Sequence, residues 1–291
     1  MAVSRSWNEN VVSLRVPGFE EAPIAVQIRP AGAGVPALLV HGFGSNAQAN
    51  WGQTGWLASL HKAGIPSVAV DLRGHGQSAK PHDSRSYSLP ILVADLLQVL
   101  AALPAELGQV PALDLIGYSM GGRLAAELVA VVGDSDRHGS REVQSGCRPT
   151  VRRAVLGGYD GRPLFAGLDL DAFESALVGE PGPEGSDRRF ARIVGAIPGN
   201  DRSALSALVR GLAQNPSPMV AADVTVPTLT VAGDADVITD GVAEWAAKLP
   251  VGHFLALPGR DHITAVTSAV FRSAAVEFLL RPDPVGAIPA G

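Results

Sequence analysis

The segment that decides the fold reads Ala112-Leu113-Asp114-Leu115-Ile116-Gly117-Tyr118-Ser119-Met120-Gly121-Gly122-Arg123. Its first five residues are a largely apolar run typical of a buried strand, and the pattern from Arg123 to Val131 is typical of a helix. A serine at the sharp turn between a strand and a helix presents its hydroxyl at the end of the strand. Gly117 and Gly121 remove side chains that would crowd such a turn. Ser119 is therefore the candidate nucleophile.

The helix that begins after Ser119 also bears on the chemistry. Its N-terminus supplies a free backbone N–H and a positive dipole near any negative charge that develops on a substrate carbonyl. We therefore expect the Met120 N–H to be one donor of an oxyanion hole. Because a serine hydroxyl is a weak nucleophile near neutral pH, the site also needs a base and a carboxylate that orients it.

Eight short apolar or β-branched runs between turn signals predict eight strands. The runs are Val11–Val16, Ile24–Ile28, Ala37–Val40, Ser67–Val70, Ala112–Ile116, Ala154–Leu156, Thr228–Val231 and Phe254–Leu257. From the third run onward they alternate with helical stretches, which predicts an α/β fold with a mostly parallel sheet flanked by helices. The first two strands are expected to form an antiparallel start.

Two stretches interrupt this alternation. Residues 133–153 are polar and charged, and we expect a long surface loop there. Between residues 159 and 223 helical patterns recur without a strand, which predicts a helical cap inserted over the sheet. The chain then divides into a core of residues 1–158 and 224–282, the cap of residues 159–223, and a flexible tail of residues 283–291.

Composition narrows the classes of function. A hydrophobic share of 46% and a charged share of 18% exclude intrinsic disorder. The net charge is −5 and no run of Lys and Arg is dense enough to follow a phosphate backbone, so nucleic acid is not an expected partner. The most apolar window, Leu89–Leu103, is shorter than the roughly 20 residues that cross a bilayer. We expect a buried-face helix there and no membrane span.

The sequence also indicates a compartment and argues against a cofactor. Cys147 is the single cysteine, so the fold does not depend on an intramolecular disulfide, and Met1–Asn10 lacks the apolar run of a signal peptide. We therefore expect a cytoplasmic protein. No glycine-rich nucleotide motif and no His or Cys cluster at metal-ligand spacing is present, so neither a cofactor nor a metal is predicted.

Around Ser119 the chain resembles the α/β-hydrolase superfamily, in particular its serine esterase-like branch. His41-Gly42-Phe43-Gly44 looks like the oxyanion loop of that family, and Asp71-Leu72-Arg73-Gly74-His75-Gly76-Gln77-Ser78 matches a family turn. The resemblance spans roughly residues 20 to 280 and implies that the Phe43 N–H is the second oxyanion donor. It also implies that His41, Asp71, Arg73 and His75 shape loops rather than take part in bond breaking.

The base and the acid are assigned from chain position and from the resemblance. Of seven histidines, His262 alone lies between the last predicted strand and the last predicted helix, where the family carries its base. The acid is expected between Ser119 and His262 in the chain. There the family spacing after Gly233 selects Asp236 over Asp234, which is expected to be a turn residue bonded to its own local backbone. We expect Asp261 to be a tuning charge or a solvated one.

These residues predict a serine hydrolase of the carboxylesterase type, acting on small or medium-sized esters through an acyl-enzyme. Three alternatives stay open: a C–C bond hydrolase acting on vinylogous diketones, a cofactor-free perhydrolase or haloperoxidase, and a binding module without catalysis. Serine at the elbow argues against the haloalkane dehalogenase and epoxide hydrolase branches, which use Asp there. The sequence leaves the oligomeric state open.

The predicted cap leaves the substrate class open as well. It mixes apolar residues with arginines, which allows either an apolar acyl pocket or a site for an anionic group. The arginines in question are Arg188, Arg189, Arg192, Arg202 and Arg210. We expect most of them to be solvated.

Overall fold

The computed structural model describes residues 11–138 and 149–282, and these form one sheet of eight strands flanked by helices. The strands are β1 Val12–Pro17, β2 Pro23–Arg29, β3 Ala37–Val40, β4 Ser67–Val70, β5 Ala112–Tyr118, β6 Thr150–Gly157, β7 Thr228–Gly233 and β8 Gly252–Leu257. Their order in the sheet is β1-β2-β4-β3-β5-β6-β7-β8. The pairs β1–β2 and β2–β4 are antiparallel and the remaining pairs are parallel, which confirms the predicted mostly parallel sheet.

Helices cover both faces of this sheet. In the described part of the chain they are α1 Trp56–Lys62, α2 Leu89–Leu107, α3 Met120–His138, α4 Leu170–Leu177, α5 Ser186–Gly195, α6 Arg202–Ala213, α7 Val242–Ala246 and α8 Ala269–Leu280. In β3, Leu38 and Val40 belong to the core cluster that includes α2 and α3, whereas Leu39 belongs to the cluster that includes α1 and α8. Successive residues of a strand point to opposite faces, so a run that is apolar throughout is what two covered faces require.

Helix α2 has the length and mean hydropathy, 1.6, of a membrane-crossing helix, the one such helix within the described residues. Its apolar face is occupied, because Leu92, Leu96 and Val99 are fully buried in the core. Asp95 on the same helix accepts two hydrogen bonds of 2.8 Å from the buried guanidinium of Arg73. Packing in the core therefore accounts for the composition of this helix, as expected for a buried-face helix.

The prediction of a surface loop over residues 133–153 is wrong at both ends of that range. Helix α3 continues to His138, and β6 begins at Thr150. The segment from Met120 to His138 contains no proline, and Gly133 inside a helix costs only about 1 kcal/mol relative to alanine. The polar composition of the residues after Gly133 is therefore compatible with a continuation of α3. Residues 139–148, which include Cys147, and the predicted tail of residues 283–291 lie outside the described residues.

Helices α4, α5 and α6 lie between β6 and β7 in the chain, and residues 159–223, all of which are described, contain no strand. Two of these helices begin at an aspartate that caps them. Asp169 accepts from the Ala172 N–H, and Asp201 accepts from the Ala204 N–H, each at 3.0 Å. Such caps satisfy N–H groups that the first turn leaves without a partner. The division into core and cap at residues 159 and 223 stays a prediction.

Candidate active site

Ser119 stands at the turn between β5 and α3 in a strained backbone conformation. Its φ is +55°, in the left-handed region that residues other than glycine seldom adopt. Hydrogen bonds hold it there: its N–H donates to the Gly157 carbonyl and its own carbonyl accepts from the Gly122 N–H, both at 2.8 Å. The turn thereby lifts the side chain out of the line of the strand.

The glycines beside Ser119 are required by close approach of the backbone. A Cβ at Gly121 would lie 2.0 Å from the Val40 carbonyl oxygen, and a Cβ at Gly117 would lie 2.3 Å from the Gly121 carbonyl oxygen. No side chain can be accommodated against main-chain atoms at such distances. The elbow therefore depends on both glycines, as the sequence indicates.

The structure brings the three predicted catalytic side chains together at the carboxyl ends of β5, β7 and β8. The His262 Nε2 lies 2.9 Å from the Ser119 Oγ, and the His262 Nδ1 lies 2.8 Å from the Asp236 Oδ2. Because the carboxylate accepts a hydrogen bond from Nδ1–H, Nε2 presents its lone pair and accepts a hydrogen bond from the serine hydroxyl. Asp236 and His262 are buried, and Ser119 is half-buried.

Asp236 is held as a carboxylate by the groups around it. Burial by itself would raise its pKa, but hydrogen bonds from His262 and Thr239 and the attraction of the imidazole outweigh burial, so the pKa lies below its ordinary value. Oδ1 accepts from the Ile238 N–H at 2.9 Å and the Thr239 N–H at 3.1 Å, and Oδ2 accepts from the Thr239 hydroxyl at 2.7 Å. The residue is therefore ionised and fixed in orientation near neutral pH.

The neighbouring carboxylates have structural roles. Asp234 differs from expectation, because its Oδ1 accepts from the Gly259 N–H at 2.7 Å and so joins the acid loop to the base loop instead of bonding its own turn. The Oδ1 of Asp261 accepts from the N–H of Thr264 at 2.8 Å and from its hydroxyl at 2.6 Å. These hydrogen bonds lower the pKa of Asp261, which is exposed and caps the loop that carries His262.

The sequence analysis missed a tyrosine that holds the loop carrying His262. The Tyr118 hydroxyl donates to the main-chain carbonyl of His262 and so connects the strand that precedes Ser119 to the base loop. Burial raises the pKa of this phenol, which keeps it a neutral donor. Nothing in the spacing of two residues so far apart in the chain indicates this contact.

The predicted oxyanion donors have no competing acceptor in the described part of the chain. Within residues 11–138 and 149–282, neither the Phe43 N–H nor the Met120 N–H donates to a protein acceptor. The loop that carries Phe43 adjoins the nucleophile, since a Cβ at Gly42 would lie 3.4 Å from the Ser119 Cβ. Free donors beside a serine hydroxyl are what an oxyanion hole requires.

Two buried histidines hold that loop. The His41 Nδ1 donates to the Gly42 carbonyl at 2.8 Å, and its Nε2 accepts from the Leu72 N–H at 3.0 Å. The His75 Nε2 accepts from the Gly44 N–H at 2.9 Å, and its Nδ1 donates to the Arg73 carbonyl at 3.1 Å. Burial lowers the pKa of both imidazoles, and that of His75 well below its usual range, so both stay neutral acceptors. Both are loop-holding residues, as the resemblance implies.

The turn after β4 is structural as well. Asp71 accepts from the Ala47 N–H and the Gln77 N–H, each at 2.8 Å, and so ties two loops together. Arg73 pairs with Asp95 on α2 and donates to the Phe19 carbonyl at 2.8 Å. Among the described residues, neither Asp71 nor Arg73 forms a hydrogen bond or ion pair with the triad, in line with the roles expected for this turn.

The side chain of Phe43 lies against aromatic residues of the predicted cap. Its ring centroid is 5.1 Å from that of Phe165, 6.0 Å from that of Phe173 and 5.9 Å from that of Phe190. The residue that carries the expected oxyanion donor is therefore surrounded on its cap side by apolar rings.

Four of the five arginines of the predicted cap, Arg189, Arg192, Arg202 and Arg210, are exposed, as expected, and Arg188 is the exception. It is buried and donates to the Ser175 hydroxyl at 2.6 Å, so it holds α5 against α4. Arg192 pairs with Glu184 at 2.5 Å, and Arg210 pairs with Glu174, both at the surface. These described contacts of the three guanidiniums all lie within residues 159–223, where they join segments of the predicted cap to one another.

A large cleft lies away from the triad. Its volume is about 690 Å³, and it is lined by residues 82–84 and by polar side chains of the cap, among them Glu174, Arg202 and Arg210. None of the triad residues lines it. Geometry around Ser119, and not the size of this cleft, therefore locates the candidate site.

Within the described residues no group of three or more His, Cys, Asp or Glu is placed to hold a metal ion.

Comparison with known proteins identifies the family of the chain. Residues 37–278 match the sequence model of the alpha/beta hydrolase family, and the chain belongs to that family. A 2-hydroxymuconate semialdehyde hydrolase from Pseudomonas sp. (strain CF600) is 34% identical over 152 residues, which are 51% of this chain and 45% of that protein. The chain therefore spans about half the length of this curated relative.

Solved structures similar to this chain cover nearly its whole length. A bromoperoxidase from Bacillus anthracis has a TM-score of 0.67 at 19% identity, with 92% of this chain and 99% of that chain covered. A thermophilic esterase from Thermogutta terrifontis has a TM-score of 0.63 at 20% identity, with 93% and 98% covered. At such identities the likeness shows the fold alone.

Proposed function

We propose that the protein is a serine hydrolase that cleaves carboxylic esters of small or medium size through an acyl-enzyme intermediate. One observation carries the proposal: Ser119, His262 and Asp236 form a continuous row of hydrogen bonds of 2.9 and 2.8 Å. Beside that row lie two backbone N–H groups, those of Phe43 and Met120, with no acceptor within the described residues. Nucleophile, base, orienting acid and oxyanion donors are the full set that acyl transfer requires.

The steps follow from these positions. As the Ser119 Oγ attacks the ester carbonyl, the His262 Nε2 accepts the hydroxyl proton, and Asp236 stabilises the imidazolium. The Phe43 and Met120 N–H groups bind the oxyanion of the tetrahedral intermediate. His262 then donates its proton to the leaving alcohol. A water molecule, deprotonated by the same imidazole, attacks the acyl-enzyme and releases the carboxylic acid.

The residues of the predicted cap favour a substrate whose acyl group carries no charge. The rings of Phe165, Phe173 and Phe190 surround the side chain of Phe43, whereas Arg188 is engaged with Ser175 inside the cap. Burying apolar atoms against aromatic side chains is favourable, and burying an unpaired carboxylate is costly. We therefore expect apolar acyl chains to be preferred over acyl groups that carry a charge.

A second candidate is hydrolysis of a C–C bond by the same three residues. It is favoured by the 34% identity to a 2-hydroxymuconate semialdehyde hydrolase over half of this chain. The two candidates differ in the group that the site must bind, since the semialdehyde carries a carboxylate and a simple alkyl ester does not. Direct comparison of the two substrates therefore separates the candidates.

The test measures kcat/KM on p-nitrophenyl esters of increasing acyl length and, in parallel, on 2-hydroxymuconate semialdehyde. A fluorophosphonate probe reports whether the serine is activated, and Ser119→Ala is the control. We expect ester turnover and labelling in the wild type and neither in the variant. Ester turnover that survives the substitution contradicts the proposal, and turnover of the semialdehyde alone favours the C–C hydrolase.

A further inference from the structure

Gly44, which follows the expected oxyanion donor Phe43, is held at both of its backbone polar groups. Its N–H donates to the His75 Nε2 at 2.9 Å, from within the core. Its carbonyl accepts from the Asn200 Nδ2 at 2.7 Å. Asn200 lies between α5 and α6, in the predicted cap. One residue of the oxyanion loop is therefore held from the core on one side and from the cap on the other.

The Asn200 amide joins the loop to α5 as well. Its Nδ2 also donates to the carbonyl of Val194 at 3.0 Å, so both of its hydrogens have acceptors. The side chain of Val194 is buried directly against Gly44, because a Cβ at Gly44 would lie 2.5 Å from the Val194 Cγ1. The helix therefore rests on the oxyanion loop, and the amide connects the carbonyls of the two segments.

The turn that contains Gly44 also sets the direction of the Phe43 N–H. The Gly42 carbonyl accepts from the Ser45 N–H at 3.2 Å and from the His41 Nδ1 at 2.8 Å. In a trans peptide unit the carbonyl and the N–H of the next residue point in opposite directions. Groups that hold the Gly42 carbonyl therefore aim the Phe43 N–H, and Asn200 holds the same short turn at its other end.

We propose that Asn200 is a positioning residue for the oxyanion hole, which couples the seating of the cap to the direction of the Phe43 N–H. This inference rests on the proposed function. A displaced α5 would leave the Gly44 carbonyl without its partner, so that only the contacts from the core would still hold the turn. Since an oxyanion donor acts mainly on the tetrahedral state, seating of the cap raises kcat with little effect on KM.

The first test compares Asn200→Leu with Gln214→Leu. Both substitutions replace an amide of the cap by an apolar side chain, but the Gln214 Nε2 donates to the Ser84 hydroxyl at 3.4 Å, away from the oxyanion loop. We expect Asn200→Leu to lower kcat about 10-fold, less than the roughly 10²- to 10³-fold loss on removing an oxyanion donor. The KM of Asn200→Leu, and both kcat and KM of Gln214→Leu, should stay within about twofold of the wild-type values.

A trifluoromethyl ketone, which adds to the serine as an oxyanion, gives a second reading of the same donor. Its inhibition constant should rise with Asn200→Leu by the factor that kcat/KM falls, because both report binding of a tetrahedral oxyanion. Asn200→Ala, which introduces no new bulk, is measured in the same way in case the leucine variant does not fold. Unchanged kcat, or a loss confined to KM, overturns the inference.

Amide hydrogen exchange of residues 41–47 tests the positioning without any substrate. We expect faster exchange of this segment in Asn200→Leu and no change in Gln214→Leu, because only the former releases the turn. If the wild type hydrolyses no ester, the proposed function fails, and the exchange of residues 41–47 in Asn200→Leu decides the inference. Faster exchange than in the wild type supports the inference, and unchanged exchange overturns it. If wild-type turnover depends on Ser119 and Asn200→Leu retains full kcat, only the inference fails.

Discussion

The two halves of the candidate site use histidine in opposite ways. In the triad half, the ring nitrogens of His262 face the carboxylate of Asp236 and the hydroxyl of Ser119. In the oxyanion half, His41 and His75 each hydrogen-bond one main-chain carbonyl and one main-chain N–H. All three rings are buried. The hydrogen-bond partners of the ring, and not burial or residue type, therefore distinguish the proposed proton-transfer group from the two rings that hold a loop.

The largest expected effect tests the triad half. Ser119→Ala and His262→Ala should each lower kcat by about 10⁶-fold, and the double variant should be no worse, because the two groups act as a unit. Single-turnover and steady-state kinetics on one p-nitrophenyl ester would measure this. Effects of the two substitutions that multiply would show that the side chains act separately.

The next effect concerns the acid. Asp236→Asn should lower kcat about 10⁴-fold, because the amide favours the wrong tautomer of His262 while geometry is retained. Asp240→Asn is the matched control, since Asp240 lies nearby in the chain and is exposed in a pair with Arg162. Equal activity of the two variants would remove Asp236 from its proposed role.

The buried histidines of the oxyanion half should make the stability of the protein depend on pH. Burial lowers the pKa of His75 and His41 below the ordinary value of about 6.5, so the folded protein binds fewer protons than the unfolded chain. The free energy of unfolding should therefore fall as the pH falls below about 6.5, by up to about 1.4 kcal/mol per pH unit for each histidine. Urea unfolding at a series of pH values measures this free energy. Its fall with decreasing pH should be less steep in His75→Gln than in the wild type. An unaltered slope would mean that His75 is protonated in the folded state.

The smallest effect is expected beside the base. Asp261 is exposed and accepts its hydrogen bonds from Ile263 and Thr264 in its own loop, so Asp261→Asn should change kcat by no more than about threefold. A much larger loss, measured on the same ester, would give this carboxylate an electrostatic part in the reaction and weaken the contrast between the halves.

The triad half could be predicted from the sequence because its constraints are local. Close approach of backbone atoms requires Gly117 and Gly121 around Ser119, so their spacing carries the turn within the sequence itself. His262 and Asp236 follow from the order of strands and from the resemblance to a family. The donation from Thr239 to Asp236 is also local, and a threonine three residues after an aspartate could have indicated it.

The contacts that support the site could not be predicted in the same way. Asn200 reaches Gly44 across 156 residues, and Tyr118 reaches His262 across 144 residues. Neither periodicity nor propensity reports which distant segments will touch, because that depends on how the elements pack. Helix α3 shows the converse difficulty: the polar composition that predicted a loop after residue 133 is compatible with further turns of helix.

The proposed base follows an edge strand of the sheet, whereas the proposed nucleophile follows a central strand. His262 follows β8, which ends the strand order beside β7 and whose residues are mostly half-buried or exposed. Ser119 follows β5, whose residues are buried between β3 and β6. Segments with few buried apolar contacts open at lower free energy than strands buried in the core. Mild denaturant should therefore abolish turnover through detachment of one strand, while the circular dichroism of the protein is still that of the folded state.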